Sequence, residues 1–508
     1  MAASEFDFYP CGISAGRPAR GMTGGRMTAV SKFVVVIGLS ILVTGCATYR
    51  PAPISPAENA TALNARTLDN PRLRKFIALD LKLDGKPDPS PSWDLTKLTL
   101  AALYYHPDLD IAHAKLAAAE AGIITAGQRP NPSLNLTAAF GTSVVAGAIT
   151  PGAIPATIGP VIDFVIETFG KREDRTAHAE HLADSARWDL ATAGWKVRGR
   201  VRSALLTLWA AQQRMKVARQ RLDLQDQLVA LLERRLAVGE ASSLDVARER
   251  INRAQVILTL GDLKGSAAAG RARLAAAIGI PLHALDGADF SLGAFDRPQP
   301  PAGDLAAGAL RRRALTERTD VRASLADYEG AQSMVQLAVA NQYPNVTLRP
   351  GYNYDFGVNK YILDPIVELP IFNQNQGPIA QAIANRQQAA ADFTALQAQI
   401  IGAIDEAATS YRVAKQRLTT ADALFDADQR RERQVAHSFR AGQVDRPTLI
   451  TTELELTASE LSQIDSTIQE RQALGAVEDA LQQPFFDPGR WPYVPEQNPR
   501  LANTEPSS

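Results

Sequence analysis

The chain has 508 residues, 45% hydrophobic and only 6% aromatic, a balance that favours Ala-rich helices over a bulky globular interior. Its 54 Lys and Arg equal its 54 Asp and Glu, so no basic field recruits nucleic acid and no acidic excess marks a solvating tail. Two cysteines, Cys11 and Cys46, exclude a disulfide framework and a thiolate zinc site alike.

The first patterned segment is KFVVVIGLSILVTGC, in which Lys32 precedes an apolar run from Phe33 to Val43. Such a run suffices for a signal-peptide core and is too short to span a bilayer as a helix. Thr44 and Gly45 precede Cys46, and LVTGC resembles a bacterial lipobox. That resemblance implies cleavage before Cys46 and a covalent lipid on it, with no other cofactor. Ala47, where Asp would favour inner-membrane retention, agrees with export to the outer membrane. Residues before Met22 or Met27 lack signal character, and Cys11 falls within the part removed. Residues 1–45 thus read as upstream extension and signal peptide, and 46–94 as a lipidated linker that opens on the proline-rich RPAPISPAE.

Beyond the linker the chain repeats itself. NPSLNLTAAF (131–140) and NVTLRPGYNYDF (345–356) both alternate with period two, and Pro132 matches Pro344, 212 positions on. Asp108 and Leu109 match Asp320 and Val321 at the same offset, while Phe169, Gly239 and Pro281 match Phe372, Gly442 and Pro484 at 203. The difference lies in a Gly, Pro and Ala-rich loop, 143–157, present in the first copy only. Each copy adds a second strand, VIDFVIETF (161–169) or YILDPIVELPIF (361–372), with Ile162, Phe164 and Ile166 aligned to Pro365, Val367 and Leu369. Pro365 and Pro370 confine the last strand to an edge or a bulge.

A very long helix follows each hairpin, from about Arg172 to Val238 in the first copy. Val201, Leu208, Met215, Leu222, Val229 and Leu236 recur every seven residues, answered by Ile404, Tyr411, Leu418, Phe425 and Phe439 in the other copy. Heptads imply a supercoiled seam. A second stripe, Ala210, Val217, Leu224, Leu231 and Val238, implies neighbours on both sides. Matching turns, AVGEASSLDV and RAGQVDRPTL, reverse the chain: Gly239 and Gly442 suit a left-handed helix end, Ser242 with Asp245 forms a capping-box pattern, and Pro447 fits a first helical turn. Return helices run to about Ile278 and Leu481, half the length of their partners, so helices at 95–126 and 305–340 cover the remaining halves. The chain divides into repeat 1 (95–282), an equatorial linker (283–304), repeat 2 (305–484) and a proline-rich tail (485–508).

Four strands are too few for a barrel, and lipid forbids an open sheet edge, so the chain must oligomerise. Three copies give twelve strands. Tyr352, Tyr354, Phe356 and Tyr361 then form an interfacial aromatic girdle, and Asn345, Arg349, Asn353 and Asp355 face a watery lumen.

This duplicated order of helix, hairpin, long helix, Gly turn and return helix, from Leu95 to Pro484, resembles the TolC-type outer membrane factors. The resemblance implies a mainly α chain with membrane β: duplicated coiled-coil hairpins plus four strands, assembled as a homotrimer with a twelve-stranded barrel and a helical periplasmic tunnel. It implies an outer membrane channel, not an enzyme, whose partners are a periplasmic adaptor, an inner-membrane pump and outer membrane lipid. FGKREDR (169–175) and LPIFNQNQG (369–377) resemble the CzcC-like branch serving heavy-metal resistance-nodulation-division pumps. Multidrug efflux, type I secretion and, from another class, a structural coiled-coil lipoprotein are the rival readings. The family narrows its periplasmic end with carboxylates just past the turn, which makes Asp245, Glu249 and Glu453 aperture candidates. Thr448 and Thr452 stand where a second acidic pair would lie, and Asp445 is a further substitute. The tip turns, with Gly239, Ser242, Asp245, Gly442, Asp445 and Pro447, are the candidate adaptor-docking surface. His178 and His181 in HAEH have metal-ligand spacing, but no further ligands lie nearby in sequence, so they read as a solvated helix face.

Overall fold

A computed structural model describes residues 49–81, 92–140, 156–296, 308–355 and 358–486. Cys46, Phe356, most of the Gly, Pro and Ala-rich loop, part of the equatorial linker and nearly all of the tail lie outside these residues. The described residues before Thr67 belong to a unit of their own, whose helix α1 (Pro56–Asn64) is capped by the Ser55 hydroxyl accepting from Glu58 N–H.

The second unit, from Thr67 on, holds two copies of one plan. After α2 (Pro71–Asp80), the first runs α3 (Leu95–Tyr105), α4 (Pro107–Gly127), β1 (Ser133–Phe140), β2 (Ala156–Ile166), α5 (Lys171–Ala237) and α6 (Ser243–Ile278). After two short 3₁₀ turns, Leu282–Leu285 and Gly293–Phe295, the second runs α7 (Ala309–Glu317), α8 (Thr319–Ala340), β3 (Val346–Asp355), β4 (Val358–Val367), α9 (Gln376–Arg440) and α10 (Arg446–Leu481).

Two expectations about element bounds need correction. The helices foreseen at 95–126 and 305–340 are each broken. Pro107 drives His106 into extended backbone and begins α4, while Arg318 is extended between α7 and α8, its guanidinium held by Asp320 and the Ala480 carbonyl. The second strands also start and stop earlier than their apolar runs. Phe169 and Gly170 take left-handed backbone (φ 57° and 74°), as does Asn375 (φ 63°), and these turns lead the chain into the long helices.

The strands form one antiparallel meander, β1-β2-β3-β4. Pro365 sits in β4, an edge strand, where a missing donor is tolerated. Pro160 lies in an inner strand, and the β2–β3 partners skip it, resuming at Val161 opposite Gly351. The registers also correct the sequence alignment. Leu134 pairs with Ile162 and Val346 with Val367, and Leu134 and Val346 stand at the spacing of Pro132 and Pro344. Ile162 is therefore equivalent to Val367 rather than Pro365. A slip of two residues keeps every side chain on its face, so alternation alone could not detect it.

At 67 and 65 residues, α5 and α9 are each roughly 100 Å long. The long helix α5 packs against α4 and α6 on one side and α8 and α10 on the other; α9 packs against α8 and α10. The half next to the sheet thus runs α4–α5–α8–α9 across the layer, and the far half α6–α5–α10–α9. Both heptad stripes of α5 are used: Val201, Leu208, Ala210 and Val217 are all buried. Near the turn the packing loosens, and Val238 is 71% exposed.

The densest core lies midway, where Leu98, Leu205, Leu274, Leu285, Phe295 and Phe485 are fully buried. Around it Arg198 and Arg202 of α5 hold the buried Glu478 of α10, Arg202 also pairs with Asp479 at 2.6 Å, and Glu478 accepts Phe485 N–H at 2.7 Å. Burial pushes the Glu478 pKa up, but the two guanidiniums outweigh it and hold the carboxyl below its ordinary range. Glu478→Ala strands two buried cations and is expected to cost about 3–5 kcal/mol, read as an earlier loss of helical circular dichroism on heating. Because the folded-state pKa is depressed, Glu478 contributes fully above about pH 4.3, and its contribution fades as pH falls through the lower folded value.

Candidate functional site

Two surfaces carry the sequence-derived candidates: the faces of the sheet and the turns at the far end of the helices. On one sheet face Leu134, Leu136, Ile158, Phe164, Tyr354, Tyr361 and Leu363 all stand exposed. Backbone pairing puts them together, since directly opposed residues of an antiparallel sheet share a face. A contiguous exposed apolar sheet is costly in water and matched to lipid. Tyr352 and Tyr361 stack obliquely, ring centres 5.6 Å apart, and the Tyr352 hydroxyl donates to Asn359 at 2.7 Å. Tyr352, Tyr354 and Tyr361 share this apolar face; Phe356 lies outside the described residues.

The opposite face is polar. Arg349 bridges to Asp163 at 2.7 Å, Asn135 donates to the same carboxylate at 2.9 Å, and Asp355 accepts from Thr157 at 2.6 Å and Lys360 at 2.5 Å. The ladder places Asp364 opposite Arg349 and Asn353 opposite Lys360. Asp163, Lys360 and Asp364 escaped the sequence reading, although the alternation that marked Arg349 and Asp355 applies equally to their strands. Asn345 falls just before β3 and accepts from Lys171 Nζ at 2.7 Å, so it fastens the sheet to α5 rather than joining the polar ladder. Gly159 faces Asn353, where a Cβ would lie 1.9 Å from the Tyr352 carbonyl oxygen.

At the turns Gly239 (φ 78°) and Gly442 (φ 73°) take the left-handed backbone expected of them. Ser242 caps α6 by accepting from Leu244 N–H at 3.1 Å, so its hydroxyl serves the second rather than the third residue of the helix. Asp245 is exposed. Asp445 caps α10, accepting the Thr448 amide at 3.1 Å and the Thr448 hydroxyl at 2.6 Å, and Pro447 lies in the first turn as expected. Asp445 also pairs with Arg235 at 3.0 Å, which ties the two turns of one chain together. Glu249 accepts from the buried Gln225 at 2.6 Å and from Asn252 at 2.9 Å. Burial and Glu432 raise the Glu453 pKa against the pull of Arg446. Thr452 is buried, its hydroxyl donating to the Thr448 carbonyl, so that position adds no charge.

His178 and His181 are not a solvated face. His178 Nδ1 lies 2.8 Å from the Gly330 carbonyl and His181 Nδ1 3.4 Å from Glu329, both on α8. Among the described residues no group of three or more His, Cys, Asp or Glu is placed to hold a metal, and no helix is long and apolar enough to cross a membrane.

This architecture has relatives. Residues 99–280 match the family described as Outer membrane efflux protein. The cobalt-zinc-cadmium resistance protein CzcC of Cupriavidus metallidurans is 27% identical over 290 residues, covering 57% of this chain and 65% of that protein. The pyoverdine export outer membrane protein OpmQ of Pseudomonas aeruginosa is 26% identical over 302 residues, 56% of this chain and 62% of that one. The chain thus spans less than two thirds of either relative's length. Among solved structures, the outer-membrane channel OprN superposes with a TM-score of 0.60 at 19% identity over 85% of this chain and 98% of that one. CusC does so with 0.59 at 17% identity, over 76% and 91%. The fold is that of the outer-membrane channel proteins. Over residues 99–280 the chain matches the outer membrane efflux protein family, and its fold is similar to that of the solved outer-membrane channels.

Two expectations follow from the geometry. The Thr448 hydroxyl and amide, with Arg235 behind them, hold the Asp445 carboxyl below its usual range. Amide protection at the start of α10 should therefore be complete above about pH 4 and fall as acid protonates Asp445; Asp445→Ala should cost about 1 kcal/mol and Asp445→Asn much less. Gly159→Ala should sharply reduce the membrane-assembled fraction, judged by fractionation and gel mobility, while Gly122→Ala, whose Cβ would meet nothing within 4 Å, should not.

Proposed function

We propose that the chain is the outer membrane channel of a tripartite efflux system, conducting substrate passively from an inner-membrane pump through the periplasm to the exterior. The observation that carries this reading is the sheet, with its continuous apolar face, charged opposite face and two unpaired edges, above a helical layer with the same lateral order. Three copies joined edge to edge close twelve strands into a barrel and twelve helices into a tunnel, each chain supplying four helices at either level. No chemistry is asked of the protein; the pump supplies energy and most of the substrate choice. The tips, with Asp245, Glu249, Asp445 and Glu453, face the adaptor, and the acyl chains on Cys46 anchor the mature N-terminus in the outer membrane.

For cargo we favour heavy-metal cations. The likeness to CzcC, a cobalt-zinc-cadmium resistance protein, supports this, and so does the polar ladder, where Asp163, Asp355 and Asp364 outnumber Arg349 and Lys360. The likeness to OpmQ, a pyoverdine export protein, supports the second reading, export of organic compounds. Deleting the gene and challenging the cells with metals and drugs decides between them. Hypersensitivity to divalent metals alone, restored by the intact gene, is the expected result; sensitivity to organic compounds alone would transfer the assignment. In parallel, the purified protein in detergent should have three times the chain mass and form conducting pores in planar bilayers.

A further inference from the structure

We propose that the free edge of β4 pairs with the free edge of β1 on a second copy of this chain in one fixed register: Pro365–Leu369 against Leu136–Phe140, with Leu369 opposite Leu136 of the next copy. The inference rests on the oligomeric channel reading above and adds to it the alignment of the seam.

The molecule contains its own template. The β2–β3 seam joins the second strand of one repeat to the first strand of the other, which is the junction β4 must make with the next copy's β1. Within each hairpin the registers make Ile162 equivalent to Val367 and Leu134 equivalent to Val346. Gly170 and Asn375, the left-handed residues that open α5 and α9, stand at the same spacing as Ile162 and Val367, so this equivalence extends through the strand-to-helix junction. By that measure Leu369 corresponds to Phe164, and Leu136 to Leu348. Phe164 and Leu348 are partners in the β2–β3 ladder.

The template also explains why β4 ends early. β2 runs on to Ile166 because β3 pairs with it there, Ile166 opposite Val346. Among the described residues of a single chain β4 stops at Val367, opposite Val346, with no partner on its other side. Glu368 and Leu369 are exposed, Leu369 at 70%, and a second copy supplies the missing ladder. Pro370 and the tight turn that carries Ile371 N–H to the Leu369 carbonyl at 2.8 Å then terminate the pairing. Faces agree along the whole seam: Val367 and Leu369 join Ala138 and Leu136 on the apolar side, and Glu368 joins Thr137 on the polar side. Where Asp163 meets Arg349 within a chain, Glu368 at the seam meets a threonine. Each seam therefore adds to the polar face a carboxylate with no opposed cation.

Aligning Phe169 with Phe372 in sequence gives a competing register, two residues away, that sets Leu369 opposite Leu134 and keeps the same faces. Opposed Cβ atoms lie about 4.5–5.5 Å apart and those two residues off about 7–8 Å, a difference that oxidation of paired cysteines resolves. Full-length double variants carrying Leu369→Cys with Leu136→Cys, Leu134→Cys or Ala138→Cys, and each single variant, are oxidised in outer-membrane fractions and run on non-reducing gels. The first pair should give covalent dimers and trimers, the other two weak bands, and the single variants none across this seam. A dominant band from a displaced pair, or no band from any pair in a protein that retains its oligomeric mass and conductance, overturns the register and leaves the channel reading standing. A monomer without conductance overturns both.

Discussion

The structure depends on the backbone groups along two strand edges. Among the described residues β1 and β4 each present unpaired N–H and C=O groups, and beside them lies an apolar face matched to lipid. In water such edges would be solvated; in hydrocarbon each unsatisfied group costs several kcal/mol, far more than a protein's net stability can absorb over a whole strand. A partner for each edge is thus a condition of residence in the membrane. The helices obey the same geometry. Because the order across the layer is α4–α5–α8–α9 near the sheet and α6–α5–α10–α9 away from it, the open sides of the helical layer lie on the strands that are open above them. One lateral repetition can therefore complete both parts.

Much of this was legible in the sequence because it is written in periods. The period-two alternation of 345–356 placed Arg349 and Asp355 on one face and Tyr352 and Tyr354 on the other, and the structure keeps them there. Two heptad stripes on α5 required neighbours on both sides, which α6 and α10 supply. Gly239 and Gly442 marked the reversals because only glycine takes that backbone without strain, and both helix ends fall within a few residues of them.

What escaped the sequence has a common cause: it depends on pairing between distant segments. Alternation cannot tell a register from one displaced by two residues, so the alignment of Ile162 with Pro365 carried no warning. The Arg235–Asp445 link joins residues 210 apart in sequence, and nothing local announces it. Composition did not reveal that Arg198 and Arg202 bury their charge against Glu478, since Arg on a long helix ordinarily reads as solvated. The break at His106 could have been foreseen from Pro107, but the apolar run on both sides masked it.

The distribution of order along the long helices bears on how such a molecule could open without coming apart. The fully buried side chains and the Glu478 cluster concentrate where α3, α6, α10 and the inter-repeat linker meet α5, while near the turns Val238 and Leu244 are exposed. There the two turns of one chain are joined by the half-exposed Arg235–Asp445 pair, and exposed pairs contribute about 0.2–1 kcal/mol. A buried ion cluster resists separation several times more strongly. The energetics therefore divide the chain: the middle is held by contacts too costly to break, and the tip by contacts of the size that docking of another protein can overcome. Motion confined to the last turns of the helices leaves the sheet untouched, so in the proposed channel the tip can change while the strand edges keep their pairing.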